Sequence, residues 1–434
     1  MMRFFQSLVP VHSGALAALL LFSACRTAEP GGQAPSLSAD ASRIQRDIAW
    51  LADDRRDGRG TGTAGNDSAA AYIARRHEAL GLEQIVPGTY VQRFTARSAE
   101  MAHEGHPEGV PAENVVAMVA GSDAGLRHQY VVIGAHFDHL GRSSAHASDP
   151  EAKDAIRNGA DDNASGTAAV MELARQFAAK PAKRSIIFAS FTGEELGLLG
   201  SQWFVEHSPV PIDSIVAMVN FDMVGRLRND KLIVYGVATA TELPGILASA
   251  NVEPKLVVSA VGDGFGPSDH SSFYTRGIPV LHFFTDLHDD YHKATDDTPK
   301  INAAGEARVV GMAERVVRSI ADRPSRMSVV RSAAPVASAG SREGSTTYLG
   351  SIPDMSAGDI PGLKLSGVRA GSPAAVGGLE TGDVIVSFGG KPVTDLYSYT
   401  DALYAHKPGE KVSVTYLRGG ERRTTMITLG TRGQ

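Results

Sequence analysis

Hydrophobic and polar positions alternate in two modes along this chain of 434 residues. Short, nearly continuous apolar runs occur at Asn114 to Val119, Tyr130 to Ala135, Ser185 to Phe191, Ile215 to Phe221 and Pro279 to Phe284. Runs of this length and density read as strands buried in a sheet. Between them lie helical patterns: Asn66 to Leu80, stopped by Gly81; Ala164 to Ala179, stopped before Pro181; and Arg308 to Ile320. Strands alternating with helices argue for an α/β domain. From Arg323 to Thr347 the periodicity gives way to Arg, Ser, Ala, Gly and Pro, the composition of a linker. Tyr348 to Gly430 then returns to short strands, glycine turns and one central helix.

The first residues run Met1-Met2-Arg3, an apolar stretch from Leu8 to Phe22, then Ser23-Ala24-Cys25. That is the order of a secretion signal, and the stretch is short for a transmembrane span of ~20 residues. The expected division is a signal over 1–25, a flexible leash over 26–40, an α/β domain over 41–322, a linker over 323–347 and a small domain over 348–434. Cys25 is the single cysteine, which excludes an internal disulfide. Its setting resembles a bacterial lipoprotein cleavage box, although Phe22 stands where an aliphatic residue is usual. That resemblance implies a lipid anchor at Cys25 and an exported protein, periplasmic or membrane-anchored. Forty-eight acidic against 42 basic side chains, a formal charge of -6, give no electrostatic case for nucleic acid or an anionic membrane as partner.

Chemistry therefore has to come from local clusters, and these follow the predicted strands. Open α/β sheets place ligand sites at the carboxyl ends of their strands. His136-Phe137-Asp138 follows the strand from Tyr130, with Asp138 placed to take the imidazole's other N–H. Asp161-Asp162-Asn163 lies in a glycine-flanked loop, where the carboxylates serve either as ligands or as caps of the next helix. Glu194-Glu195 suggests divided labour, one carboxylate on a metal and the other moving protons, or else a solvated helix start. Asp222 ends the most apolar strand, where a carboxylate is costly to bury without a cation or hydrogen bonds. Tyr291-His292 sits in a run rich in His and Asp.

The order His, Asp, Glu-Glu, Asp, His resembles the zinc aminopeptidase family that includes bacterial leucyl aminopeptidase, aminopeptidase S and aminopeptidase Y. The resemblance spans roughly residues 43 to 320 and takes in Gly58-Arg59-Gly60-Thr61-Gly62 and Ser268-Asp269-His270. It implies a mixed, mostly parallel sheet flanked by helices, as in zinc exopeptidases, and two Zn2+ as cofactors. Carried over residue by residue, one metal takes His136 and Asp222, the other Glu195 and His292, and Asp162 bridges both. Glu194 falls on the general base, Tyr291 on the group steadying the tetrahedral intermediate, and Asp138 behind His136. Asp286 stands where this family has glycine, and Ala294 where proline is common. In this scheme paired metals activate water and polarise a peptide carbonyl, and Glu194 shuttles the proton. Peptides would be the substrates.

Tyr348-Leu349-Gly350-Ser351-Ile352 resembles the carboxylate-binding loop of PDZ domains, and Gly371-Ser372-Pro373 reads as a helix start with Ser as cap and Pro in first position. The expectation is a small β-rich domain that takes a peptide or protein C-terminus. Rival readings are a glutaminyl cyclase or a carboxypeptidase on the same scaffold, or a binding protein without catalysis.

Overall fold

The computed structural model describes residues 38–97, 106–143, 146–149, 151–262, 264, 266–331, 347–353, 362–369, 371–393 and 396–431. The expected signal with Cys25, the leash before residue 38 and the linker over 332–346 lie outside the described residues.

Eight strands form one sheet: β1 (Val91–Ala96), β2 (Val110–Val119), β3 (Tyr130–His136), β4 (Ser185–Phe191), β5 (Ile215–Phe221), β6 (Lys231–Tyr235), β7 (Val257–Ala260) and β8 (Val280–Phe284). Their order is β1-β2-β4-β3-β5-β8-β6-β7. The centre, β4-β3-β5-β8, is parallel, while β1, β2 and β6 join antiparallel to their inner neighbours. The mixed, mostly parallel sheet expected from the sequence is what forms. Parallel strands need long crossovers and have both faces covered, which explains their near-continuous apolar runs.

Alternate residues divide between two cores. On one face Val131, Ile133 and Ala135 of β3 and Ile186 and Phe188 of β4 pack with helices α1 (Ala41–Leu51), α2 (Ala64–Ala79), α3 (Gly166–Ala179) and α7 (Ala303–Ala321). On the other face Val132, Ile187, Ala189 and Phe191 meet α4 (Leu199–Glu206) and α6 (His270–Thr275), with Phe204 and Phe273 interlocked. The remaining helix of this domain, α5 (Leu243–Ala250), packs on α7. Side chains cap two of the helix starts. Asp40 caps α1 by accepting from the N–H groups of Ser42 and Arg43, and Asn302 caps α7 through Gly305.

A separate core gathers only residues between Leu349 and Leu429. Here strands Ser351–Pro353, Leu363–Val368, Val384–Phe388, Lys411–Arg418 and Glu421–Thr428 form an antiparallel sheet in that order, with helix Leu396–Tyr404 beside it. Ser372 accepts from the N–H of Ala375 at the start of the short helix Pro373–Val376, as the Ser-Pro pair predicts. Among the described residues no helix is long and apolar enough to cross a membrane.

Candidate metal centre

The carboxyl ends of the parallel strands meet at one edge of the sheet. His136 is the last residue of β3 and lies in register with Phe191, the last of β4, after which Glu194 and Glu195 follow. Asp222 comes directly after β5, and the loop after β8 carries His288, Tyr291 and His292. Asp286, where the resembled family has glycine, takes φ 75°, a left-handed conformation that glycine adopts freely and Asp tolerates.

The loop before α3 is not an ordinary helix start. Gly159 takes φ 54°, and residues Ala160–Ser165 make a π-type turn with a cis peptide between Asp162 and Asn163. A Cβ at Gly159 would sit 2.0 Å from the Asp162 carbonyl oxygen and 2.5 Å from the His139 ring, so only glycine fits. Asn163 locks the turn to β5: its Nδ2 donates to Phe221 O at 2.9 Å and its Oδ1 accepts from Gly166 N at 2.8 Å and Met223 N at 3.2 Å. Asp296 Oδ2 accepts the N–H groups of both Asp161 and Asp162 at 2.9 and 3.0 Å. Asp161 turns away from the centre, accepting from Gly225 N at 2.7 Å beside His288 Nε2 at 3.1 Å. Arg59, fully buried, ties the parts together by donating to the carbonyls of Leu51, Phe137, Asn158 and Gly159.

Two groups of donors result. His136 Nε2 stands 3.5 Å from both Asp162 Oδ1 and Asp222 Oδ1. His292 Nε2 stands 3.1 Å from Asp162 Oδ2 and 3.2 Å from Glu195 Oε2. Two donors on one tetrahedral zinc, each about 2.0–2.1 Å from it, are about 3.3 Å apart, so both groups have the spacing of ligand shells. Asp222 Oδ2 accepts from Ser268 Oγ at 2.8 Å, but its buried Oδ1 has no hydrogen-bond partner, an arrangement that a cation would resolve. Imidazole and carboxylate together suit zinc. The structure thus brings the predicted residues His136, Asp162, Glu195, Asp222 and His292 together as candidate metal ligands.

Supporting groups hold these donors in place. His136 Nδ1 lies 3.2 Å from the main-chain oxygen of Asp138, with the carboxylate Oδ1 of the same residue at 3.7 Å. That carboxylate accepts from Thr61 Oγ1 at 3.0 Å and from Glu194 N at 3.3 Å, linking the His136 loop to the glutamate pair. His292 Nδ1 donates to His146 O at 2.9 Å, and Ser148 N donates to His292 O at 2.9 Å. From the small domain, Arg369 Nη2 donates to Ala147 O at 3.1 Å, while its own N–H donates to Gly350 O at 2.9 Å. Sequence reasoning missed His139: it is buried, with Nδ1 2.7 Å from Glu195 Oε1 and 3.8 Å from Asp162 Oδ2. The only signal was a second histidine three residues beyond His136.

Burial and neighbouring charge move the titrations apart. Burial pushes the Glu194 carboxyl well above the usual range, with Glu195, Asp222 and Asp269 adding to the rise. Burial would raise Glu195 too, but His292 and His139 hold it well below its ordinary value. Burial works against a charged His136, yet Glu194 and Asp222 lift it well above normal. Burial, then Asp162 and Glu195, push the Tyr291 phenol well up, so it stays protonated; its ring stacks on His292 at 3.9 Å.

Sheet order and flanking helices give a zinc exopeptidase-like fold. Residues 114–317 match the model of peptidase family M28, and residues 345–429 match that of a PDZ domain. A probable zinc metalloprotease of Pyrenophora teres f. teres (strain 0-1) is 40% identical over 114 residues, 26% of this chain and 23% of that protein. Leupeptin-inactivating enzyme 1 of Streptomyces exfoliatus is 27% identical over 256 residues, 58% of this chain and 50% of that protein. This chain therefore spans half or less of the length of these curated relatives. The aminopeptidase from Aneurinibacillus sp. strain AM-1 shares the fold, with a TM-score of 0.52 and 18% identity over 68% of this chain and 97% of that one.

Proposed function

We propose that this chain is a zinc aminopeptidase that uses two metal ions to remove N-terminal residues from peptides. One observation carries the reading: the two oxygens of Asp162 face different histidines, Oδ1 at 3.5 Å from His136 and Oδ2 at 3.1 Å from His292. A carboxylate so placed is a bridge between two ligand shells, with His136 and Asp222 completing one and Glu195 and His292 the other. Zinc, when bound, supplies Lewis-acid polarisation of a peptide carbonyl and acidifies water.

The side chains divide the remaining work. Glu194, held well above the usual carboxylate range by burial, is the group to accept a proton from attacking water and return it to the leaving amine. Tyr291, kept protonated, donates its phenol O–H toward the oxyanion that develops in the transition state. Asp138 fixes both His136 and the Glu194 backbone. Aromatic residues near the strand ends indicate no preference for the first residue: Phe273 and Phe283 are fully buried in the two cores of the large domain. In the PDZ domain the reading places a peptide C-terminus along Ser351–Pro353, an edge strand, under the Gly350 turn with φ 81°. Export with a lipidated Cys25 belongs to the same proposal and rests on sequence pattern alone.

The test is metal content together with product analysis on peptides with free and with acetylated N-termini. About two zinc per chain, and release of N-terminal residues from free peptides only, is the expected result. Ring closure of N-terminal glutamine with one zinc would make it a cyclase, and no turnover with added zinc would make it a binding protein.

A further inference from the structure

His139 lies beside Asp162 and Glu195 in a group of candidate metal donors, yet its separations depart from those of a ligand shell. Its Nδ1 lies 2.7 Å from Glu195 Oε1, a hydrogen-bond length, and 3.8 Å from Asp162 Oδ2. The first separation is shorter, and the second longer, than the about 3.3 Å that separates two donors on one tetrahedral zinc. His292 meets that spacing with the other oxygen of Glu195, at 3.2 Å. The two oxygens of Glu195 thus have different partners.

The ring has no freedom to change this. His139 is 2% exposed, and Gly159 packs so closely that a Cβ there would come within 2.5 Å of ring atoms Cγ and Cδ2. Its edge meets the His292 ring at 5.7 Å between centroids and 72° between planes. Nε2 is buried without a hydrogen-bond partner. With the proton on Nδ1 the imidazole donates to the carboxylate, and Nε2 remains a bare lone pair instead of an unmet N–H.

We propose that His139 is a positioning residue for the second metal: its Nδ1–H holds Glu195 Oε1, so that Oε2 alone faces the space shared with His292 and Asp162. The inference rests on the two-zinc reading above. A glutamate side chain has several rotamers and two equivalent oxygens, so an unrestrained one loses rotamer freedom on binding and can also chelate through both oxygens. Partners of this kind typically change metal affinity 10–100-fold.

Two conservative variants of the full chain test it. In His139→Asn the amide nitrogen occupies the place of Nδ1; in His139→Gln it moves toward the place of Nε2. Zinc affinity is read by competition with a chromophoric chelator, and the number of imidazoles per zinc by X-ray absorption. The wild type should take two zinc. His139→Gln should keep the first at wild-type affinity and hold the second about 10–100-fold more weakly, whereas His139→Asn should stay near wild type. The imidazole count should be the same in all three. If His139→Gln binds both ions as the wild type does, or if His139→Asn is as weak as His139→Gln, the positioning role is wrong. Loss of an imidazole in either variant would make His139 a ligand, overturning the proposal while leaving the two-zinc reading intact. A wild type that takes fewer than two zinc would instead remove the reading on which it rests.

Discussion

The carboxylate of Asp162 stands between two histidines from opposite ends of the domain sequence, with Oδ1 3.5 Å from His136 Nε2 and Oδ2 3.1 Å from His292 Nε2. Its position depends on the π-type turn and on Asp296, which takes the N–H groups of residues 161 and 162. Asp162→Asn should therefore weaken both metals together, whereas His292→Ala should weaken one. Stoichiometry at limiting zinc separates the cases. Equal loss in both variants would argue against a bridge.

Glu194→Gln removes the proposed proton acceptor and no proposed ligand. Metal content should stay at the wild-type level while kcat falls about 10²- to 10⁴-fold. Wild-type turnover would reassign the base.

Tyr291→Phe deletes the proposed donor to charge that exists only in the transition state, so kcat should fall about 10²- to 10³-fold with KM little changed. Because burial and four nearby carboxylates keep the phenol protonated, the alkaline limb of the rate profile should not move in this variant. A shifted limb would show that Tyr291 titrates in the working range.

His77 sits in the apolar core, fully buried, and burial alone lowers it from 6.5 to about 4. Above pH 6.5 it is neutral in both states. Between pH 6.5 and 4 the unfolded chain binds a proton that the folded chain refuses, so stability falls as pH drops. The loss accumulates to roughly 3 kcal/mol by pH 4. His77→Phe should lose this dependence, and the difference between the two denaturation curves against pH isolates it from the other titrating groups.

Arg59→Met would strip four buried carbonyls of their donor. Destabilisation of about 3 kcal/mol or more is expected, read from urea midpoints. A loss under about 1 kcal/mol would mean that water replaces the guanidinium.

The legible parts of the fold were the strands buried on both faces. Ser185 to Phe191 and Ile215 to Phe221 were bounded correctly, because a strand covered by helices must be apolar throughout. Strands β1, β6 and β7 were not seen. They lie at or near the sheet edges, their apolar runs are short, as in Leu232-Ile233-Val234-Tyr235, and β7 exposes most of its residues. The helix α1, starting at Ala41, was also missed, although Asp40 caps it. For the site, residues at strand ends could be named because sheet topology brings such ends together. The π-type turn could not, since its shape comes from Asn163, Asp296 and Gly159 reaching across more than fifty residues to β5 and across more than a hundred to the loop after β8. Nor could Arg59, whose partners are all main-chain oxygens and leave no trace in side-chain pattern.

Ala147 accepts from Arg369, while its neighbours His146 and Ser148 bracket His292. Severing the chain at the linker would thus take a strut from beneath a proposed metal ligand as well as the PDZ domain from the tail. A slower shortened enzyme would not by itself reveal what the PDZ domain recognises. The point substitution Arg369→Ala in the intact chain isolates the mechanical share, and only the remainder belongs to recognition.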